Sequence, residues 1–327
     1  MTVLVAIYSQ FAGWCIPEAQ VERLRREFPE HTFVRADSDE EALERIPSAE
    51  IVFGPRVTPE QLAAARRLRW IHSPAAGIGN MLFPEMIDSP VPMTNSRGNS
   101  AVTIAEHIIA VTLVLLRELP LAWRRQRERT WAQDEFDAGA ATRTLRGARV
   151  LIVGLGAIGG EAGRLAAAFG AHVVGIRRRA DGPRPAGVAA VVTPDRLHAE
   201  LPLADVVVLA APQMAETTHL IGERELTSMK DDAVLVNVSR GTLIDEAALA
   251  RALEAGRLRG AALDVFEQEP LPSDSPLWGR EDVMVTPHVS GYHADYWRDA
   301  TTLFADNLRR FVAGQPLANP VDKKAGY

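Results

Sequence analysis

A single cysteine, Cys15, occurs among the 327 residues. It excludes an intrachain disulfide and any metal site built on paired thiolates, and it fits a reducing cytosol. Basic residues are not in excess: the formal charge is −6, so no nucleic-acid surface is expected. The most basic stretch, AWRRQRER (122–129), reads as a solvated helix face, because acidic residues interrupt and follow it. Long apolar runs are missing too. The longest, IIAVTLVLL (108–116), is far too short to span a bilayer. The opening MTVLVAIYSQ lacks the basic start of a signal peptide and reads as a first strand. No short repeat or low-complexity segment stands out. A cytoplasmic protein with no membrane or nucleic-acid partner is expected.

Apolar residues, in contrast, make up 47% of the chain, enough for the cores of two domains. The first hundred residues alternate TVLVAIY, HTFVRA, EIVFG and RWIHSP, read as strands, with helical patterns over 17–28 and 58–68. That rhythm predicts a parallel sheet covered by helices. A helix over 100–118, apolar on most sides and ended by Pro120, follows. A second series then begins. Its strands HVVGI, DVVVLA, AVLVNV, AALDV and VMVTP are continuous apolar runs, as expected where a parallel strand is buried on both faces. A last helix over 294–312 returns to the first domain. The expectation is an α/β protein of two doubly wound parallel-sheet domains. A dinucleotide-binding domain (99–290) of Rossmann type is inserted into a flavodoxin-like substrate domain (1–98 and 291–327).

The stretch VLIVGLGAIGG (150–160) places Gly154, Gly156 and Gly159 between a strand and a helix. In that setting G-x-G-x-x-G allows a tight turn, close approach of a pyrophosphate and close helix–strand packing. The start of the helix at Ala157 and Ile158 offers unpaired N–H groups to the phosphates. An acid is expected about 20 residues later to bond the adenosine ribose. Here the strand runs into Arg177, Arg178 and Arg179. A guanidinium binds a 2′-phosphate that a carboxylate would repel. Arg177, helped by Arg178, therefore points to NADP, with NAD as the alternative.

Three more stretches end strands of the second series: VNVSRGTLID (236–245), ALDVFEQEPLP (262–272) and VTPHVSG (285–291). Ligands of open parallel sheets bind beyond the carboxyl ends of the strands. With GLGAIG, these motifs make nearly the whole chain resemble the D-isomer-specific 2-hydroxyacid dehydrogenases, a family that includes glyoxylate/hydroxypyruvate reductases, D-lactate dehydrogenases and phosphoglycerate dehydrogenases. The resemblance implies an interdomain cleft and a homodimer. It places the catalytic arginine at Arg240, the glutamate at Glu269 and the histidine at His288. The residue types suit reduction of a 2-oxoacid. Arg240 can fork onto carboxylate and carbonyl oxygens, His288 can give the proton, and Glu269 can stabilise the imidazolium. Glu267 and His293 are rivals, set aside because Glu269 directly precedes Pro270 and His288 has the Thr-Pro-His setting. His107 reads as structural.

The resemblance also implies cofactor contacts at Ala211, Pro212, Thr217, Val238 and Asp264. It implies substrate contacts at the Ala76 and Gly77 amides of PAAGIGN (74–80), where Gly79 stands in place of the family's frequent Asp. Trp131 and Trp297 are candidate pocket walls. No metal is implied. The expected activity is NADPH-preferring reduction of a small 2-oxoacid, such as glyoxylate or hydroxypyruvate, to the D-2-hydroxyacid. The alternatives are a nucleotide-sensing corepressor on the same fold, or a dehydrogenase of phosphite or formate.

Overall fold

The chain divides into two units, Met1–Asn99 with His293–Tyr327, and Ser100–Tyr292. The computed structural model describes residues 1–139 and 142–326. In chain order the first unit supplies β1 (Thr2–Val5), α1 (Glu18–Glu27), β2 (Thr32–Arg35), α2 (Asp39–Arg45), β3 (Ile51–Phe53), α3 (Pro59–Ala64), β4 (Trp70–Ser73), α4 (Pro84–Asp88) and β5 (Met93–Asn95). The second supplies α5 (Ala101–Leu116), α6 (Leu119–Arg127), α7 (Gln133–Gly139), β6 (Arg149–Val153), α8 (Ala157–Ala168), β7 (His172–Ile176), β8 (Val188–Val192), α9 (Leu197–Glu200), β9 (Val206–Leu209), α10 (Glu223–Ser228), β10 (Val234–Asn237), α11 (Glu246–Glu254), β11 (Gly260–Leu263) and β12 (Val283–Val285). The last helix, α12 (Tyr296–Val312), belongs to the first unit again.

The first sheet has the order β2-β1-β3-β4-β5, the flavodoxin-like arrangement. The second has the order β12-β11-β10-β9-β6-β7-β8, the Rossmann arrangement carried one strand further. Every strand pairing in both is parallel. The fold is thus the expected pair of doubly wound sheets. Side chains alternate between faces along a strand, and both faces are buried. Leu151, Val153, Val207, Leu209 and Leu235 enter one core of the second unit, and Val150, Ile152, Val206, Val208 and Val236 the other. In the first unit Phe304 of α12 stacks on Phe53 at 4.2 Å and on Trp70 at 5.4 Å.

Local chemistry sets the helix ends. Thr58 and Gln61 form a reciprocal capping box at α3, with Pro59 in the first turn. This helix ends at Ala64, short of the expected 68, because the chain must turn into β4, where the Arg69 amide already bonds Glu50 O at 2.7 Å. Pro120 does not itself end the long helix. Glu118, with φ of +54°, breaks it, and Pro120 opens α6. No residue of α6 is buried, in keeping with the solvated face read from its arginines. The sequence reading has no strand at the edge strand β8, whose side chains are mostly half-exposed. Among the described residues, no helix is long and apolar enough to cross a membrane.

Candidate active site

The glycine turn joins β6 to α8. Gly154 has φ of +99°, and a Cβ there would strike the backbone of Ala210 and Ala211. A Cβ on Gly159 would strike the Gly154 carbonyl. Packing therefore fixes the first and third glycines. Gly156 is different: a Cβ there meets nothing within 4 Å. The turn is open on that side, and among the described residues the Ala157 and Ile158 amides meet no acceptor. These features fit a pyrophosphate at the start of the twelve-residue α8.

Arg177 follows β7. Its guanidinium donates to the carbonyls of Pro183, at 3.0 Å, and Gly182, closing the 177–183 loop on itself. Arg178 and Arg179 are exposed beside it. Ala211 and Val238 are buried and Pro212 is exposed. The Thr217 hydroxyl holds its own loop, donating to Pro212 O at 2.9 Å and accepting from the Met214 amide at 2.8 Å.

Because β10, β11 and β12 are neighbours, the loops after them converge. The loop after β10 is built on buried Asn237. Its amide group donates to Arg240 O (2.9 Å) and accepts from the Ser239 amide (3.1 Å). Next comes Gly241, where a Cβ would collide with the backbone of Phe266 and Glu267. Only glycine lets the Arg240 loop press against the segment that carries Glu269. Arg240 itself is half-buried and donates to Ser239 O at 2.7 Å. Burial pushes its guanidinium down, while the charge of Glu269 opposes the shift.

His288 lies past β12 with φ of +53°, uncommon for a residue other than glycine. Asp264, 1% exposed, enforces it. Its backbone carbonyl accepts from the His288 amide at 2.8 Å. Its carboxylate accepts from Thr286 Oγ1 (2.6 Å) and from the Val289 (2.9 Å) and Ser290 (3.1 and 3.2 Å) amides. His288 Nδ1 then lies 2.7 Å from Glu269 Oε2, and Glu269 Oε1 accepts from the Phe266 amide at 3.0 Å. Burial alone would raise the Glu269 carboxyl. The hydrogen bonds from His288 and Phe266, with the charges of His288 and Arg240, outweigh it and hold the group below the usual carboxylate range.

Glu267 faces a different histidine, with Oε1 3.0 Å from His219 Nε2. Glu246, unread in the sequence, accepts from the Glu267 amide at 2.6 Å, and burial, then the charges of Glu267 and Glu269, raise its carboxyl. His107 Nε2 is 3.4 Å from Thr286 Oγ1, behind the His288 loop. The polar Asn that ends the apolar run AVLVN was the one sequence signal for this supporting layer.

In the first unit, the 74–77 loop follows β4. Among the described residues the Ala76 and Gly77 amides meet no acceptor, which suits an anion. A Cβ on Gly79 meets nothing within 4 Å. Trp297 donates from its ring to Gly13 O at 3.0 Å, and Trp131 is 90% exposed. Among the described residues no cluster of three His, Cys, Asp or Glu side chains is arranged to hold a metal.

Residues 109–290 match the family described as "D-isomer specific 2-hydroxyacid dehydrogenase, NAD binding domain". A protein of Methanocaldococcus jannaschii named D-3-phosphoglycerate dehydrogenase is 31% identical over 86% of this chain and 53% of its own length. This chain thus spans about half the length of that relative. A protein of Korarchaeum cryptofilum named glyoxylate reductase is 34% identical over 82% of this chain and 80% of its own. Among solved structures, a D-isomer specific 2-hydroxyacid dehydrogenase from Xanthobacter autotrophicus Py2, in complex with NADPH and MES, superposes with a TM-score of 0.85. It is 28% identical, with 99% of each chain covered.

Proposed function

The chain belongs to the D-isomer-specific 2-hydroxyacid dehydrogenases, and from that premise we propose that it reduces a small 2-oxoacid to the D-2-hydroxyacid with NADPH. The observation that carries the reading is the His288–Glu269 pair at 2.7 Å with Arg240 close enough for its charge to act on Glu269. In this reading Arg240 binds the carboxylate and carbonyl oxygens and polarises the carbonyl. His288, with Nδ1 held by Glu269, gives a proton from Nε2 to the carbonyl oxygen. Glu269 stays ionised and balances the imidazolium. The Ala76 and Gly77 amides serve the substrate carboxylate. A reduced nicotinamide held at the glycine turn would supply the hydride.

The open side of Gly156 and the α8 amides fit the pyrophosphate. In this reading Arg177 and Arg178, just after β7, bind the 2′-phosphate, a reading supported by the Xanthobacter relative in complex with NADPH. Ala211, Pro212, Thr217, Val238 and Asp264 are the remaining cofactor residues in this reading. Glyoxylate or hydroxypyruvate is the favoured substrate, because the glyoxylate reductase relative is matched over most of its length. The phosphoglycerate dehydrogenase relatives support a second candidate, 3-phosphohydroxypyruvate. The working form in this reading is a cytoplasmic homodimer.

The test is a panel of glyoxylate, hydroxypyruvate, pyruvate and 3-phosphohydroxypyruvate, each with NADPH and NADH. Glyoxylate or hydroxypyruvate with NADPH should give the highest kcat/KM. Turnover of phosphite or formate alone, or no turnover with tight NADPH binding, would overturn the reading.

A further inference from the structure

The 74–77 loop is held by its carbonyls. Tyr296 Oη donates to Pro74 O at 2.9 Å, the Ser96 amide donates to Ala75 O at 3.2 Å, and Asn95 Nδ2 donates to Ala76 O at 2.7 Å. The Ala75 amide is taken by Ser73 Oγ at 3.2 Å. In a trans peptide the C=O of one residue and the N–H of the next point in opposite directions. Fixing Ala75 O therefore sets the direction of the Ala76 N–H, and fixing Ala76 O sets that of Gly77. Each carbonyl is bonded toward the body of the unit, so both amides face away from it.

The side chain that fixes Ala76 O and the one that fixes the entry to the loop at Pro74 O are themselves well anchored. Asn95, at the end of β5, is 1% exposed, and its Oδ1 accepts from the Arg97 amide at 3.3 Å. Its amide group is thus oriented with nitrogen toward Ala76. Tyr296, at the start of α12, packs edge-on against Trp14 at 5.5 Å and Trp297 at 5.2 Å. Trp297 in turn holds the 9–15 segment through Gly13 O.

We propose that Asn95 is a positioning residue that aims the Gly77 amide, beside the Ala76 amide, as a paired donor for a carboxylate, and that Tyr296 supports it by holding the entry to the loop. The identity of the carboxylate as a 2-oxoacid rests on the function proposed above. The direct effect belongs to Asn95, whose bond sets the Gly77 amide. Tyr296 anchors the entry to the loop and has the smaller effect.

The test compares wild type, Asn95→Ala, Asn95→Asp and Tyr296→Phe. The aspartate keeps an acceptor for the Arg97 amide but loses the donor to Ala76, and the phenylalanine loses only the hydroxyl. Hydrogen exchange followed by mass spectrometry over 74–78 should quicken at least about threefold in both Asn95 variants, which lose the bond to Ala76 O, and less in Tyr296→Phe, which loses the bond to Pro74 O. KM for the 2-oxoacid should rise about tenfold for Asn95→Asp and about threefold for Tyr296→Phe, with KM for NADPH within about twofold of wild type. Exchange over 74–78 unchanged in all three variants overturns the inference whatever the activity. A matching rise in both KM values with a fall in Tm also overturns it, because that marks general destabilisation. Quicker exchange confined to this loop in a protein that reduces no 2-oxoacid leaves the positioning intact and overturns the proposed substrate.

Discussion

Two histidines, one in each unit, show what the two parallel sheets do differently with the same side chain. His72 lies inside β4 and is 0% exposed. Its Nδ1 is 2.7 Å from Thr94 Oγ1 and its Nε2 3.4 Å from Ser96 Oγ. Phe53, Trp70 and Phe304 surround the ring. Hydroxyls can satisfy a neutral imidazole but cannot balance a charge, and burial pushes the His72 pKa down to about 3. His288 lies past the end of β12 with its side chain 46% exposed and a carboxylate on Nδ1. The first arrangement locks a ring in one protonation state. The second gives the charged state a partner and an open face, which is what proton exchange with a substrate requires.

The sharpest way to break this comparison is to remove each ring in turn. His288→Asn should lower kcat for 2-oxoacid reduction by about 10²- to 10⁴-fold, while Tm and NADPH affinity stay near wild type. A variant within about tenfold of wild-type kcat would mean that His288 is not the acid. Glu269→Gln keeps the ring but removes its counter-charge. That variant should lower kcat for reduction by less than His288→Asn, with Tm and NADPH affinity near wild type; a kcat equal to wild type would mean that Glu269 does not support the ring.

Arg240→Ala should cost about 30- to 1,000-fold in kcat/KM, the worth of a charge-assisted carboxylate pair. Its cofactor affinity should change little. Near-normal kcat/KM with every good 2-oxoacid would show that Arg240 does not bind the substrate.

Arg177→Asp should shift the kcat/KM preference from NADPH toward NADH by about a hundredfold, through a lost contact and a new repulsion. The guanidinium also closes the 177–183 loop, so Arg178→Ala is the companion that keeps the Arg177 bonds. It should weaken NADPH mildly. A cofactor ratio unchanged in both variants would make the arginines loop-holding and surface charge only.

The smallest effect belongs to His72 and is read in stability. Its folded pKa is lowered to about 3 from the ordinary 6.5. As pH falls from 6.5 toward 3, the unfolded chain takes a proton that the folded chain refuses, and stability falls. Between pH 7 and pH 5 this amounts to about 2 kcal/mol. His72→Gln should remove that pH-dependent part from urea unfolding while kcat changes far less than for His288→Asn. An equal loss of stability on acidification in variant and wild type would contradict a neutral buried ring.

Much of the second unit was legible because its signals are local. Gly159 is forced by contacts within one strand–turn–helix, Gly154 by its positive φ in that turn and by the backbone of Ala210 and Ala211, and the apolar runs of β6, β7, β9 and β10 announce buried parallel strands. The motifs holding Arg240, Glu269 and His288 fall at the ends of strands, and the parallel sheet gathers strand ends on one edge. The supporting layer was far less legible. Asp264 entered the sequence reading as a cofactor residue, and nothing local announced that both its oxygens also serve the loop around His288. Glu246 and His72 carried no signal at all, since a reciprocal bond or a buried hydroxyl partner leaves no periodic trace.

By itself, then, the sequence determined the two sheets, the glycine turn and the identity of the three residues proposed for the chemistry. These follow from side-chain periodicity, backbone freedom and motif order, all properties of short stretches. Only the tertiary structure decided where the other glutamate of FEQEP goes, with Glu267 on His219. It alone showed that Gly241 is needed for the Arg240 loop to reach Glu269, and that Tyr296 reaches back to Pro74. Hydrogen bonds between residues far apart in the chain depend on angles and distances of a few tenths of an ångström. Those are set by the packing of whole elements, and no local pattern of residue types encodes them.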